Sequence, residues 1–279
     1  MREIEAAQLV PLISDACGHM AVYYQPDVYQ SLKDARSQET GISAQVMDIL
    51  LENADVAVRE HLPICQDTGL VTAYVTLGQD IHINGSLVEN IQKGVSQGYT
   101  KNHLRASAVD DPLFARHNTG DNTPAIIYTN VVEGDAFQID LMAKGFGSEN
   151  MSALKMLKPA EGLDGVKQFV LDTIKAAGPN ACPPMVVGVG IGGTFDYSAY
   201  LAKKALLRPL SQSNPDPYYA DLEQQLLREA NKLNIGPMGL HGHTTVLKVQ
   251  TEYYPTHIAG LPCAVNICCH ACRHERIVL

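Results

Sequence analysis

Apolar residues recur at helical spacing over residues 42 to 60, where Ile42, Val46, Ile49, Leu50 and Ala57 fall on one face and predict a helix. Ser86-Leu87-Val88-Glu89 carries the serine and glutamate of a capping box and opens another. Between them Leu70 to Leu77 reads as a strand. Further strands are predicted at Pro124 to Val132, Asp135 to Ala143, Met185 to Ile191, Thr244 to Thr251 and Leu261 to Cys268, and further helices near 163 to 177, 194 to 207 and 217 to 233. The runs on either side of Glu133-Gly134 read as an antiparallel hairpin, which disfavours a purely parallel, doubly wound sheet. The fold class is therefore α/β or mixed α+β, a mixed sheet with flanking helices. No internal repeat, low-complexity tract or linker interrupts the sequence, so one continuous unit over 1–279 is expected, helical over about 1–60 and mixed α/β over about 61–279.

Composition narrows the classes of function. At 279 residues and 46% hydrophobic content the chain can bury a full core. A formal charge of −9 with no Lys/Arg-rich run argues against a nucleic-acid or anionic-membrane surface, since both need a positive footprint. An anionic substrate must then meet cations placed locally. No segment approaches the roughly 18 apolar residues that span a bilayer, and Met1-Arg2-Glu3-Ile4-Glu5 has no apolar export core, so a soluble, cytoplasmic protein is expected. The seven cysteines, Cys17, Cys65, Cys182, Cys263, Cys268, Cys269 and Cys272, form an odd set without a secretion signal, which favours reduced thiols or metal thiolates over disulfides.

Three segments could carry chemistry. Pro63-Ile64-Cys65-Gln66-Asp67-Thr68-Gly69 places a thiol, an amide, a carboxylate and a hydroxyl on a loop between a helix and a strand; alone it is equally a turn with a structural thiol. In Asn180-Ala181-Cys182-Pro183-Pro184 two prolines hold the thiol in an extended segment before a strand. Gly188 to Gly193 follows and formally matches a dinucleotide-binding G-x-G-x-x-G. The acidic strand end expected about 20 residues on is missing, so the glycines read better as close backbone approach at a helix N-terminus that can hold an anion. Cys268-Cys269-His270-Ala271-Cys272 could be half a zinc site, but a second paired cluster is missing. Three single thiols from distant loops fit a [4Fe–4S] cluster with one iron free of protein ligand.

Taken in order, these motifs resemble class I iron-sulfur fumarases and L-tartrate dehydratases, specifically the α subunit or N-terminal half, with the fumarate hydratase α subunit favoured. The resemblance spans essentially the whole chain. It implies a [4Fe–4S] cluster held by Cys65, Cys182 and Cys269 on three loops, with Cys268 and Cys272 as spectators. It implies substrate contacts at Gln66, Arg105 and Gly147, the last in Gly145-Phe146-Gly147-Ser148-Glu149-Asn150, and catalytic roles for Asp67 and His257. A guanidinium such as Arg105 can fork onto one carboxylate of a dicarboxylate. His241 and His243 are expected to be loop residues. The activity implied is reversible hydration of fumarate to malate, with tartrate or mesaconate chemistry as alternatives and a non-catalytic zinc scaffold or nucleotide-binding enzyme as readings from other classes. No counterpart of the family's second half follows Leu279, so the resemblance implies a separate β subunit, in an αβ hetero-oligomer or a dimer of αβ pairs. An open iron also implies inactivation by oxygen.

Overall fold

The computed structural model describes residues 2–279 and resolves the chain into two compact units. Helix and strand are interleaved in mixed sheets, so the α/β, α+β expectation holds. The first unit comprises residues up to Gln25, Ala54–Gly145 and Arg273–Leu279; the second comprises Pro26–Asn53 and Phe146–Cys272.

In the first unit, β1 (Arg2–Glu5) pairs in parallel with β3 (Ile81–Asn84). The larger sheet contains β2 (Leu70–Gly78), β4 (Ile126–Val132), β5 (Phe137–Lys144) and β10 (His274–Val278), in the order β10-β5-β2-β4. Alternate residues of β2, Val71, Ala73 and Val75, enter a core with Ile139 and Leu141 of β5. Leu9, Ile13 and Met20 of α1 (Leu9–Val22) and Ile91, Val95 and Tyr99 of α4 (Leu87–Lys101) complete it. The cap of α4 is the one expected, since Ser86 Oγ accepts from the Glu89 N–H at 3.3 Å.

The hairpin at Glu133-Gly134 does not form. β4 pairs in parallel with β2, while β5 pairs antiparallel with β2 on its other side. The end of β2 enters between the two runs: Gly78, Gln79 and Asp80 donate their N–H groups to the carbonyls of Ala136, Val132 and Gly134. Local turn chemistry thus yields to a strand more than fifty residues upstream in sequence.

The second unit holds α2 (Pro26–Gln38), the first part of α3 (Gly41–Glu60), α5 (Phe146–Glu149), α6 (Gly162–Ala177), α7 (Phe195–Ala205) and α8 (Pro217–Lys232). Its sheet, β6 (Ala153–Leu157), β7 (Met185–Gly192), β8 (Val246–Tyr254) and β9 (Leu261–Cys268), runs in the order β6-β9-β7-β8. Met185, Val187, Val189 and Ile191 face a core with Val170 and Ile174 of α6 and Leu222 and Leu226 of α8. The face of α3 is shifted from the one predicted: Leu50 and Ala57 are buried as expected, but Ser43, Met47 and Ala54 join them, whereas Ile42 and Ile49 are exposed.

The two sheets share a topology that the sequence does not advertise. In each, a central strand (β2, β7) is followed through helix by a parallel neighbour (β4, β8) and then by an antiparallel strand on its other side (β5, β9). Cys65 and Cys182 each lie shortly before that central strand.

The glycines of the G-x-G-x-x-G match have a structural role. Gly188 and Gly190 sit within β7 on the face that meets α7, where a Cβ would lie 2.0 Å from the carbonyl oxygens of Ala202 and Ser198. The first turn of α7 carries Asp196, whose carboxylate accepts from Thr194 Oγ1 at 2.6 Å and opposes an anionic ligand there. Gly190→Ala is expected to destabilise the chain by about 3 kcal/mol through overpacking, seen as a lowered urea midpoint.

Glu39, buried after α2, holds the loop containing His241 and His243. It accepts from Ser43 Oγ at 2.9 Å, the His243 N–H at 3.0 Å and the Thr244 N–H at 2.6 Å. Burial pushes its carboxyl up, but these hydrogen bonds outweigh that and hold it below the usual value. Its stabilisation is therefore present above the unfolded carboxyl value and lost as pH falls through the folded one. Glu39→Gln is expected to cost about 2 kcal/mol at pH 7 in urea unfolding, with the difference from wild type shrinking below pH 4.

Candidate functional site

The seven cysteines divide by environment. Cys17, Cys263, Cys268 and Cys272 are buried; Cys65, Cys182 and Cys269 are half-buried. Burial pushes the Cys17 and Cys263 thiols up to about 12, which keeps them protonated and poor metal ligands. The C-terminal motif is split in the same way: Cys268 is the last residue of β9 and faces inward, while Cys269 follows it into the loop. Among the described residues no group of three or more His, Cys, Asp or Glu is gathered to hold a metal ion. Three half-buried thiols on loops have the donor chemistry of a cluster held by one thiolate per iron.

The second unit brings together Cys182, Cys269 and Gly147. Cys182 is not in the extended conformation that the two following prolines predict but closes the 3-10 turn Gly178–Ala181 in the left-handed region, with φ 50° and ψ 64°. That backbone costs of order 1 to 3 kcal/mol for a residue with a Cβ, and such strain tends to collect at functional sites. Its N–H donates to Pro179 O at 3.1 Å, and its carbonyl accepts from the His270 N–H at 3.4 Å, which brings the Cys269 loop to it. Gly147 lies in α5, and a Cβ there would stand 3.7 Å from Asn180 O. Glu149 of the same turn has a structural role, pairing with Lys203 and accepting from Asn266 Nδ2.

The first unit brings together Cys65, Gln66, Asp67 and Arg105. The Cys65 thiol can donate to Gln66 Oε1, 3.4 Å away. Asp67 Oδ1 accepts from the Gly69 N–H at 3.0 Å and closes a tight turn. Thr68 Oγ1 donates to Arg105 O at 3.0 Å and ties the thiol loop to the segment bearing the exposed guanidinium. A cleft of about 540 Å³, whose walls include His61, Pro63, His103 and Leu104, borders both segments.

Beneath this loop lie residues that the sequence did not single out. Tyr99 Oη reaches the Thr68 and Gly69 carbonyls at 2.8 and 3.0 Å, and Asn122 Nδ2 donates to Gly69 O at 2.9 Å. Asn122 Oδ1 accepts from the N–H groups of Ser107 and Ala108, next to Arg105. Arg273 Nη2 donates to Asp67 O at 2.7 Å. Only their burial marks these residues, and burial of a Tyr, Asn or Arg is not written in local sequence.

His257 stands apart from the thiols of its own unit. It is exposed on the turn before β9, its Nδ1 accepting from the Ala259 N–H at 3.2 Å, whereas Cys269 follows the other end of that eight-residue strand, roughly 25 Å along it.

The profile of the fumarate hydratase (fumerase) family matches residues 10–278. The chain belongs to the fumarate hydratase family. Among relatives of this fumarase-family chain is a Methanocaldococcus jannaschii protein provisionally named L(+)-tartrate dehydratase subunit alpha, 41% identical over 263 residues that cover 91% of each chain. The L(+)-tartrate dehydratase subunit alpha of Escherichia coli O157:H7 is 31% identical over 275 residues, covering 98% of this chain and 91% of its own length. That of Escherichia coli UTI89 is 32% identical over 269 residues, covering 95% and 89%. No described helix of this fumarase-family chain is long and apolar enough to cross a membrane.

Proposed function

We propose that this chain is the α subunit of an iron-sulfur hydro-lyase acting on 2-hydroxydicarboxylates, with malate and fumarate as its substrate pair, in a reducing cytoplasm. The reading rests above all on the separation of three half-buried thiols, Cys65, Cys182 and Cys269, from four buried ones. Those three would hold a [4Fe–4S] cluster, since they are half-buried on loops, unlike Cys17 and Cys263 in the cores. When bound, such a cluster supplies a Lewis-acidic iron to a hydroxy acid.

The remaining roles fall to side chains. The exposed Arg105 guanidinium is suited to fork onto a substrate carboxylate, a charge-assisted contact worth about 1.5 to 3 kcal/mol, and is the local cation an acidic protein needs. Gln66 and the Gly147 backbone orient the substrate. Asp67, fixed in its turn by Gly69, holds or moves a proton beside the reacting carbons. His257 lies roughly 25 Å along β9 from Cys269, so a catalytic role for it would arise only where the assembled complex brings substrate to its turn; His257→Gln should then lower turnover without changing iron content. The principal base and further cations come from a β subunit, in an αβ hetero-oligomer, a reading supported by relatives that carry the name subunit alpha.

L-tartrate is the second reading, favoured by the names of those relatives. A site that hydrogen-bonds a second hydroxyl rejects a substrate lacking it by orders of magnitude, so relative kcat/KM decides. The anaerobically reconstituted complex should give a malate-to-tartrate kcat/KM ratio well above one. A ratio below one moves the assignment to tartrate, and activity toward neither overturns the hydro-lyase reading.

A further inference from the structure

Arg273 immediately precedes β10 in the first unit and is 2% exposed, and its Nε and Nη1 have no hydrogen-bond partner there. A buried guanidinium bound to a single neutral carbonyl is costly unless an anion is close. The Asp67 carboxylate is one in the vicinity: a Cβ at Gly145 would lie 3.2 Å from Asp67 Oδ2 and 3.6 Å from Arg273 Nη2. Guanidinium and carboxylate therefore border the same small space, which only a glycine leaves open. The carbonyls of Asp67, Thr68 and Gly69 are each taken by a buried donor, Arg273 for the first, Tyr99 for the second and third, Asn122 also for the third. Of these donors only Arg273 is charged and holds the peptide of Asp67 itself.

We propose that Arg273 is a positioning residue for this reaction: it fixes the Asp67 peptide through Nη2 and holds the Asp67 carboxylate in register through its charge. The inference rests on the role given to Asp67 above. Arg273 acts through Asp67 and makes no contact with substrate, so its loss should appear in turnover and leave substrate affinity largely intact.

The test uses the full chain assembled with its partner, with kinetics normalised to iron content, alongside amide hydrogen exchange of the full chain alone. Arg273→Lys, which keeps the charge but not the planar fork, should lower kcat by about 10²-fold, the effect of a displacement near 1 Å at a catalytic group, with KM within roughly threefold. In an Asp67→Asn background the same change should lower kcat little further. Exchange at Thr68 and Gly69 should quicken. Gly145→Ala, a single methyl between the two side chains, should reproduce the kcat loss at constant KM if the lysine variant fails to fold. Unchanged kcat in a folded variant, a loss that multiplies with that of Asp67→Asn, or unaltered exchange would each overturn the proposal. Absence of hydroxy-acid turnover in the wild type would instead overturn the function proposed above, and the exchange measurement would still decide the role of Arg273.

Discussion

Cys65→Ser, Cys182→Ser and Cys269→Ser chains, reconstituted anaerobically with iron and sulfide, are each expected to lose hydro-lyase activity to background and to retain far less iron and sulfide than wild type. Cys268→Ser and Cys17→Ser should retain both. The contrast follows from environment. A thiolate ligand has to be deprotonated and within reach of metal. Cys17 is pushed up to about 12 by burial, and Cys268 faces inward at the end of β9, whereas the other three thiols stand on loops. The third position is the most discriminating, because Cys268 and Cys269 are adjacent and differ in burial, the first buried and the second half-buried. Iron and sulfide analysis on each variant reads the result directly, with turnover as the second measure. Retention of a full complement by Cys269→Ser, with loss in Cys268→Ser, would transfer the ligand to the buried thiol.

The second large effect is expected at Asp67. Asp67→Asn keeps an oxygen able to accept the Gly69 N–H and so preserves the turn, but removes the charge and the proton-handling capacity. Losing a positioned acid or base typically costs about 10² to 10⁴ in rate. We expect kcat to fall within that range at constant iron content, and the thermal midpoint to drop because the buried Arg273 guanidinium loses its neighbouring anion. Steady-state kinetics beside iron analysis separates this from the cysteine variants, which lose the metal itself. A kcat within threefold of wild type would remove Asp67 from the chemistry and leave it a turn residue.

Local signals in the sequence carried much of this picture. The Ser86 cap, the strands beginning at Leu70 and Met185 and the helices after Gly162 and Asp216 follow from hydrophobic period and capping chemistry within a few residues, which is the range over which those signals act. What depended on distant pairing was not legible. Glu133-Gly134 has the local chemistry of a hairpin, yet β2 takes both neighbours and the turn becomes a crossing. Leu50 and Ala57 are buried as their period predicts, but Ile42 and Ile49 are exposed, and Ser43, Met47 and Ala54 complete the buried stripe of α3. The thiols stood out because cysteine is scarce and motif-bound, and Asp67 because it adjoins one. Asn122 comes from a segment with no distinguishing pattern and Arg273 only trails the Cys268 to Cys272 motif; both hold that loop from beneath, and only the fold brings them to it.

The central claim is that the chain turns over a hydroxy acid through a metal-dependent site completed by a partner. The most direct test is malate and fumarate turnover by the anaerobically reconstituted chain, with and without a co-expressed β-type subunit, before and after exposure to air. Turnover that requires both the partner and the reconstituted iron, and that decays rapidly in air, is the predicted result. Turnover by the chain alone, or activity indifferent to iron and to hours in air, would contradict the account.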